Sequence, residues 1–306
     1  MTPRRLSAIA TLTMVASAAA LAGCGGSDSE PSASSNASPS TSRATSTPAP
    51  APARKWTRGY PNSIAVLGHS GSTGENSDPD QPGVEVREHS WATGTNPKVN
   101  SLYLRILEHH PAIEGHAVAY SEGGASIVEV ATQADRLLED DPKADLIVIQ
   151  VMDNDMTCPV ERAALSDFRT QLTATLTKLG QGAPNSSQFM VSQFGSVPTY
   201  ARSLTRQERA SQGGTGPCDF MMPAGTIAPK KVARLEKAIH AYEGALEAAC
   251  DKARQCTYDG GAFGRIGDRR EYVSSDLNHF SIKGHAKAAA VAWAALRRTH
   301  VLPRAR

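Results

Sequence analysis

The stretch DLIVIQV, residues 145–151, constrains the fold more than any other part of this chain. Its apolar and mostly β-branched run, Leu146–Ile149, has no face to turn to water. It therefore predicts a strand in the interior of a parallel sheet, covered on both faces. Such a strand needs parallel neighbours and helical crossovers, and the chain supplies both. SIAVLG (63–68), GHAVAY (115–120) and QFMVSQF (188–194) read as further strands, and a weak one falls at Cys256–Tyr258. Between them apolar residues recur at helical spacing. Val99, Leu102, Tyr103, Ile106 and Leu107 share a face within 98–110, stopped by Pro111. Ile127, Val130, Ala134 and Leu137 mark a second helix ending before Pro142, and Leu165, Phe168, Leu172, Leu176 and Leu179 a third, ended by Gly180. A long helix follows over 229–253 and a last one over 282–299. This alternation predicts an α/β fold, a three-layer α/β/α sandwich around a central parallel sheet of about five strands, filling residues 59–306 as one domain.

The first 58 residues do not fit that pattern. Arg4 and Arg5 precede an apolar, Ala-rich segment from about Ala8 to Leu21, too short for a bilayer-spanning helix and suited to a secretory signal. It ends in LAGC, Leu21 to Cys24, which looks like a bacterial lipobox. That resemblance implies a signal peptide over 1–23, cleavage before Cys24 and lipidation of its thiol. Residues 24–58 are dominated by Ser, Pro, Ala, Thr and Gly, and cannot bury enough apolar surface to offset the entropy of ordering. They read as a disordered tether spanning roughly 30 Å. The expected location is thus extracytoplasmic, attached to the cell membrane by lipid only.

Charge adds exclusions. The formal net charge is +2, and loss of residues 1–23 would remove Arg4 and Arg5 and no acid, leaving the charges balanced. With no basic run and few aromatics, nothing points to nucleic acid. A monomer acting on a small-molecule or glycan substrate is expected. With Cys24 set aside, Cys158, Cys218, Cys250 and Cys256 remain. Four cysteines in an exported chain predict two disulfides with three possible pairings; the local Cys250–Cys256 bond and a Cys158–Cys218 bond across a long loop are favoured. A zinc site is the rival, but no CxxC or HExxH spacing supports it.

In open parallel sheets, ligands bind outside the carboxyl ends of the strands. The loops there read GHSGSTG after the first strand, SEGGAS after the second and MDNDMTC after the third; SSDLNHFS precedes the last helix. The first loop lacks the lysine of a phosphate loop, its glycines have the wrong spacing for a dinucleotide turn, and Ser72 replaces the second glycine of a GxSxG elbow. A serine nucleophile needs a base, and the base needs an orienting acceptor. Asp276 and His279, three apart, can supply both; a metal set of Asp276, His279 and His285 is the competing reading. An oxyanion needs donors, which a glycine N–H at Gly124 and the side-chain amide of Asn154 can provide.

Taken together, these stretches resemble the SGNH, or GDSL-type, hydrolases over most of residues 62–298, and in particular secreted actinobacterial members through HSWATGTNPKVNSLYLRIL. VLGHSGSTG is similar to the family's first block and implies Ser70 as nucleophile, its N–H also serving the oxyanion hole. YSEGGAS implies Gly124, with Gly123 as the fallback, VMDNDM implies Asn154, and DLNHFSIKGH implies Asp276 and His279. The family fold is flavodoxin-like. Three positions depart from its pattern: His69 replaces the usual Asp before the serine, Met152 the usual Gly two before the amide, and Ala119 an Asn in the second block. The resemblance implies a serine ester hydrolase working through an acyl-enzyme, with no metal or organic cofactor. The polar, Gly-rich loops 75–97 and 196–228 favour a short acyl chain or an acylated glycan as substrate. An envelope glycan O-acyltransferase using the same residues, and a non-catalytic envelope-binding lipoprotein, are the alternatives.

Overall fold

The computed structural model describes residues 59–140 and 144–303. The expected signal peptide, Cys24 and the tether lie outside the described residues. Five parallel strands form one sheet: β1 (Ile64–Gly68), β2 (Ala117–Ala119), β3 (Leu146–Gln150), β4 (Ser187–Met190) and β5 (Cys256–Tyr258), in the order β2-β1-β3-β4-β5. Among the described residues seven α-helices connect and cover them: α1 (Leu102–His109), α2 (Ile127–Asp140), α3 (Arg162–Gly182), α4 (Val197–Ser203), α5 (Arg206–Ser211), α6 (Pro229–Lys252) and α7 (Ile282–Arg298). The three-layer α/β/α sandwich expected from the sequence is the architecture found.

The layers follow from the period-two alternation of the strands. Ala65 and Leu67 of β1 and Ile147 and Ile149 of β3 point to one face, where they pack with Leu137 of α2, Leu172 and Leu176 of α3 and Leu246 of α6. Ile64, Val66, Leu146 and Val148 point to the other face, against Leu102 and Ile106 of α1 and Ala292 and Leu296 of α7. Every residue of β1 and β3 is buried, as the apolar run in β3 requires. Burying one such Leu or Ile side chain contributes about 1.5–3 kcal/mol.

Some elements are shorter than their sequence patterns. β2 is limited to three residues because Gly115, at φ +78°, turns the chain just before it. α1 starts only at Leu102, where the Ser101 hydroxyl accepts the Leu104 N–H as a cap. The segment 196–228, Gly-rich and without periodicity, folds into the two short helices α4 and α5 and a loop. Together they form a cap with its own apolar cluster, including Val197, Leu204, Phe220 and Met221, seated on Val232 and Leu235 of α6. Arg209 staples this cap by donating to the carbonyls of Ala201 (3.2 Å), Leu204 (2.5 Å) and Gly225 (2.8 Å).

Both favoured disulfides are present. Cys158–Cys218 ties the loop after β3 to the cap, with Cα atoms 5.2 Å apart, and Cys250–Cys256 joins the end of α6 to β5 across 5.0 Å.

His285 is a cost to the fold. It lies in the first turns of α7, 1% exposed, edge-on to the Phe280 ring at 5.2 Å, and neither ring nitrogen has a hydrogen-bond partner among the described residues. It does not meet Asp276 and His279 as a metal set would require; among the described residues no three His, Cys, Asp or Glu side chains are grouped to hold a metal. Burial pushes its imidazole down to about 3. A histidine kept neutral in the folded state and free to protonate when unfolded makes stability fall as pH drops below the unfolded value near 6.5, by about 1.4 kcal/mol per pH unit. His285→Leu is expected to flatten that fall, so that its stability gain is larger at pH 5 than at pH 8. Urea unfolding at the two pH values tests this; equal differences at both would contradict it.

Candidate active site

The strand order creates the site. The chain runs from β1 outward to β2, then returns to place β3 on the other side of β1, so the loops leaving β1 and β3 diverge and open a crevice at a topological switch point. β1 ends at Gly68, whose φ of +151° and closeness to Gln150 leave no room for a side chain: an added Cβ would lie 2.3 Å from the Gln150 carbonyl oxygen. The next residues form a single 3₁₀ turn, Ser70–Ser72. Trp91 Nε1 donates to the Gly71 carbonyl (3.1 Å) and to Gln150 Oε1 (3.2 Å), holding that turn against β3. Ser70 is thereby placed half-exposed at the mouth of a cleft of about 650 Å³.

His279 and Asn154 line the same cleft. The imidazole is oriented from behind. His279 Nδ1 donates to Asp276 Oδ2 at 2.5 Å, which leaves Nε2 as the basic nitrogen. Asp276 is itself fixed by the N–H groups of Asn278 and His279, each 3.0 Å from Oδ1, and by the Ser274 hydroxyl. Burial works against its charge, but the hydrogen bonds from His279, Ser274 and the two N–H groups outweigh that and hold the carboxyl well below the usual range. The Asn154 amide donates to the Ala125 carbonyl at 2.9 Å, which leaves its second N–H uncommitted. Asp155 anchors the same loop to the start of α2, accepting the Ile127 N–H at 2.9 and 3.1 Å. Burial pushes Asp155 up to about 6.

Not every expected residue reaches the cleft. Among the described residues no hydrogen bond joins the Ser70 hydroxyl to His279; both line the cleft, and such contacts often tighten only around substrate. Gly124, at φ +75°, has open space beside it but is not part of the cleft lining. Gly123, the fallback, is committed: its N–H donates to Glu85 Oε1 at 2.6 Å.

Two of the three positions that depart from the pattern the sequence resembles, His69 and Met152, have structural roles. His69 is 3% exposed and caps the turn that carries Ser70, its Nδ1 accepting the Gly71 N–H at 3.1 Å. That fixes the proton of a neutral ring on Nε2, which lies 2.7 Å from Asp153 Oδ2, at ion-pair distance though poorly aligned for a hydrogen bond. His69 thus ties the Ser70 turn to the residue before Asn154. Met152 adopts φ +126°, a conformation that favours glycine, with its side chain 1% exposed in the core. Glu75 was not legible from sequence: it ends the GSTGE segment, and folding brings its Oε2 to 3.7 Å from His279 Nε2. Burial lowers the His279 pKa, but the hydrogen bond and charge of Asp276 and the charge of Glu75 raise it by more, leaving it above the ordinary value.

No protein-family model and no curated protein matches the chain. Solved structures similar to it include the esterase EstA from Pseudoalteromonas sp. (13% identity, 78% of this chain and 97% of that one, TM-score 0.44). A GDSL-like lipase from Parabacteroides merdae (11%, 78% and 97%, 0.48) and the acetyl xylan esterase AlAXEase (14%, 76% and 99%, 0.48) are also similar.

Two predictions follow from this geometry. The His279 Cε1 proton, followed by NMR, should titrate above the usual 6.5. Glu75→Gln should move the midpoint down, because it removes one of the two carboxylates that favour the imidazolium; an unmoved midpoint would show that Glu75 does not act on the ring. Removing the His69 cap in His69→Ala should cost about 1 kcal/mol of stability. His69→Asn keeps an acceptor for Gly71 but cannot reach Asp153, so its effect should not add to that of Asp153→Asn in a double-mutant cycle. Additive losses would mean that the pair is not coupled.

Proposed function

We propose that this protein is a serine ester hydrolase of the SGNH type. The observation that carries the reading is one cleft lined by the Ser70 hydroxyl, by an imidazole held from behind by a carboxylate, and by the half-committed amide of Asn154.

In this reading Ser70 Oγ attacks the ester carbonyl and passes its proton to His279 Nε2. Asp276, already hydrogen-bonded to Nδ1, stabilises the imidazolium that forms, and Glu75 adds to that from the Nε2 side. The tetrahedral oxyanion accepts hydrogen bonds from the Ser70 N–H and from the free N–H of Asn154, with Gly124 as a third donor if its loop shifts toward substrate. Loss of one such donor typically costs about 3–4 kcal/mol of the barrier. Nε2 returns its proton to the leaving alkoxide, which departs as the alcohol. Water then attacks the acyl-enzyme, giving up its proton to Nε2, and as the tetrahedral intermediate collapses to the acid, Nε2 returns that proton to the departing Ser70 Oγ.

The location belongs to the same proposal. Two disulfides fit an oxidising compartment, and the LAGC motif fits a lipid on Cys24 that keeps the domain outside the cytoplasm.

A fluorophosphonate probe is expected to label the wild-type chain and not Ser70→Ala. His279→Ala should lose on the order of 10⁴-fold or more in p-nitrophenyl acetate hydrolysis, in line with other serine triads. Equal labelling of wild type and Ser70→Ala would rule out Ser70 as the nucleophile.

A further inference from the structure

The small net charge of the chain, +2, hides a segregation. At the cleft end, the segment after the Ser70 turn carries Glu75, Asp78, Asp80, Glu85 and Glu88 against Arg87 alone. α7, in contrast, holds no acidic residue: Lys283, Lys287, Arg297 and Arg298 stand along a helix otherwise built mostly of alanine. Lys283 is paired with Glu271 at 2.8 Å, but Lys287, Arg297 and Arg298 have no carboxylate partner among the described residues. Lys287 and Arg298, about three turns apart, border a groove of about 410 Å³ together with Arg265 from the loop after β5. Its floor is hydrocarbon from Ala262, Ile266, Ala290 and Val291, and none of the residues lining it is acidic. Arg265 donates one N–H to the Gly260 carbonyl at 2.7 Å, which leaves the rest of its guanidinium uncommitted. Lys287 is half-buried, so its ammonium has lost part of its water without gaining a counter-ion. Three cations around a hydrocarbon floor match a phosphate diester that carries a hydrocarbon portion, the phosphate between the charges and the carbon on the floor.

Where the chain enters the domain says which source of phosphate fits. Tyr60, at the start of the described residues, stacks on His109 and on Trp293 of α7, with ring centroids 5.1 and 6.1 Å apart. The chain arriving from Cys24 thus meets the domain on α7, before the amino end of β1, whereas the cleft lies beyond the carboxyl end of that strand. Arg297, 6.0 Å from the Trp293 ring centre, extends the cationic surface to this entry point. α7 itself leads away from the site. It begins at Ile282, three residues after His279, and Arg298 lies about 24 Å further along its axis.

We propose that the exposed face of α7, with Arg265, docks on an anionic lipid surface and seats a phosphate headgroup in the groove. This rests on the reading of Cys24 as the lipidated residue, which brings the domain to a bilayer, and it goes beyond the expected attachment by lipid alone. Docked on this face, the domain keeps its acidic segment 75–88 and its cleft away from the anionic surface. The ester is then taken from the aqueous side and not from the bilayer.

The test is lysine acetylation read by mass spectrometry, on the full chain as the cell processes it, with vesicles of phosphatidylglycerol and phosphatidylcholine or of phosphatidylcholine alone. On the anionic vesicles Lys287 should be acetylated at least about fivefold more slowly, roughly the share of one cation in the attraction. The protection should vanish in about 1 M sodium chloride, where the screening length falls to about 3 Å. Lys237, exposed on α6 across the sheet, is the internal reference and should not change. Arg265→Gln with Arg298→Glu should abolish the protection at an unchanged urea midpoint; Arg298→Gln serves if the double variant does not fold. Equal acetylation of Lys287 on both kinds of vesicle, by a chain that sediments with both, would overturn the docking and leave the lipid on Cys24 standing. Sedimentation with the anionic vesicles alone, with Lys287 protected, would support the docking and sink the lipid; sedimentation with neither would overturn both. Protection by inorganic phosphate without vesicles would make the groove a free-phosphate site and overturn the lipid surface.

Discussion

Much of this molecule depends on how one glycine has its backbone satisfied. Gly68 is the last residue of β1, and on the β3 side it is still in register with Gln150. On the other side β2 has already ended, since its last pairing is Val66 with Ala119. A buried peptide group left open there would cost on the order of 1–3 kcal/mol. Gln133, itself completely buried in α2, fills the gap: its Oε1 accepts the Gly68 N–H at 2.7 Å, and its Nε2 donates at 2.9 Å to the Gly68 carbonyl, which also accepts the Glu122 N–H at 3.1 Å. A side chain thus acts as one more residue of the missing strand. It lets β1 run further than its neighbour and deliver His69 and Ser70 to the crevice.

The parts of the fold that were legible in the sequence are those in which one physical demand acts alone. β3 could be read from Leu146–Gln150 because every position is buried, and the long helices α3 and α6 because each keeps an apolar stripe over many turns. The cap was not legible. α4 and α5 have seven and six residues, too few to show a period, and their buried positions are settled by contact with α6 and the Cys158–Cys218 bond. In the site, Asp276 and His279 could be read together because their contact is local. Glu75 and Asp153 could not, since each gains its role only by meeting a residue distant in sequence: Glu75 meets His279, and Asp153 meets His69.

His69 shows how a departure from a family pattern can be absorbed. An acidic side chain at that position could accept the Gly71 N–H, and His69 does the same with Nδ1. The ring also has a second nitrogen, which reaches Asp153. The Ser70 turn is therefore linked to the Asn154 loop by a contact that the shorter side chain would not make. The cap adds its own links, through Tyr200 to Leu277, Gln212 to Asp276 and Cys218 to Cys158. The loops of the site are braced against one another as well as against the sheet.

Met152 has a consequence of a different kind. Its backbone, at φ +126°, sits where an L-residue is uncomfortable, at a typical cost of about 1–3 kcal/mol. What pins it there is its side chain, packed among the residues that α2, α3 and α6 press against the sheet. The rigidity of the segment carrying Asn154 is thus borrowed from hydrocarbon some distance away. Erosion of that interior, by a cavity or by warming, would loosen the placement of the Asn154 amide well before the domain lost its overall shape.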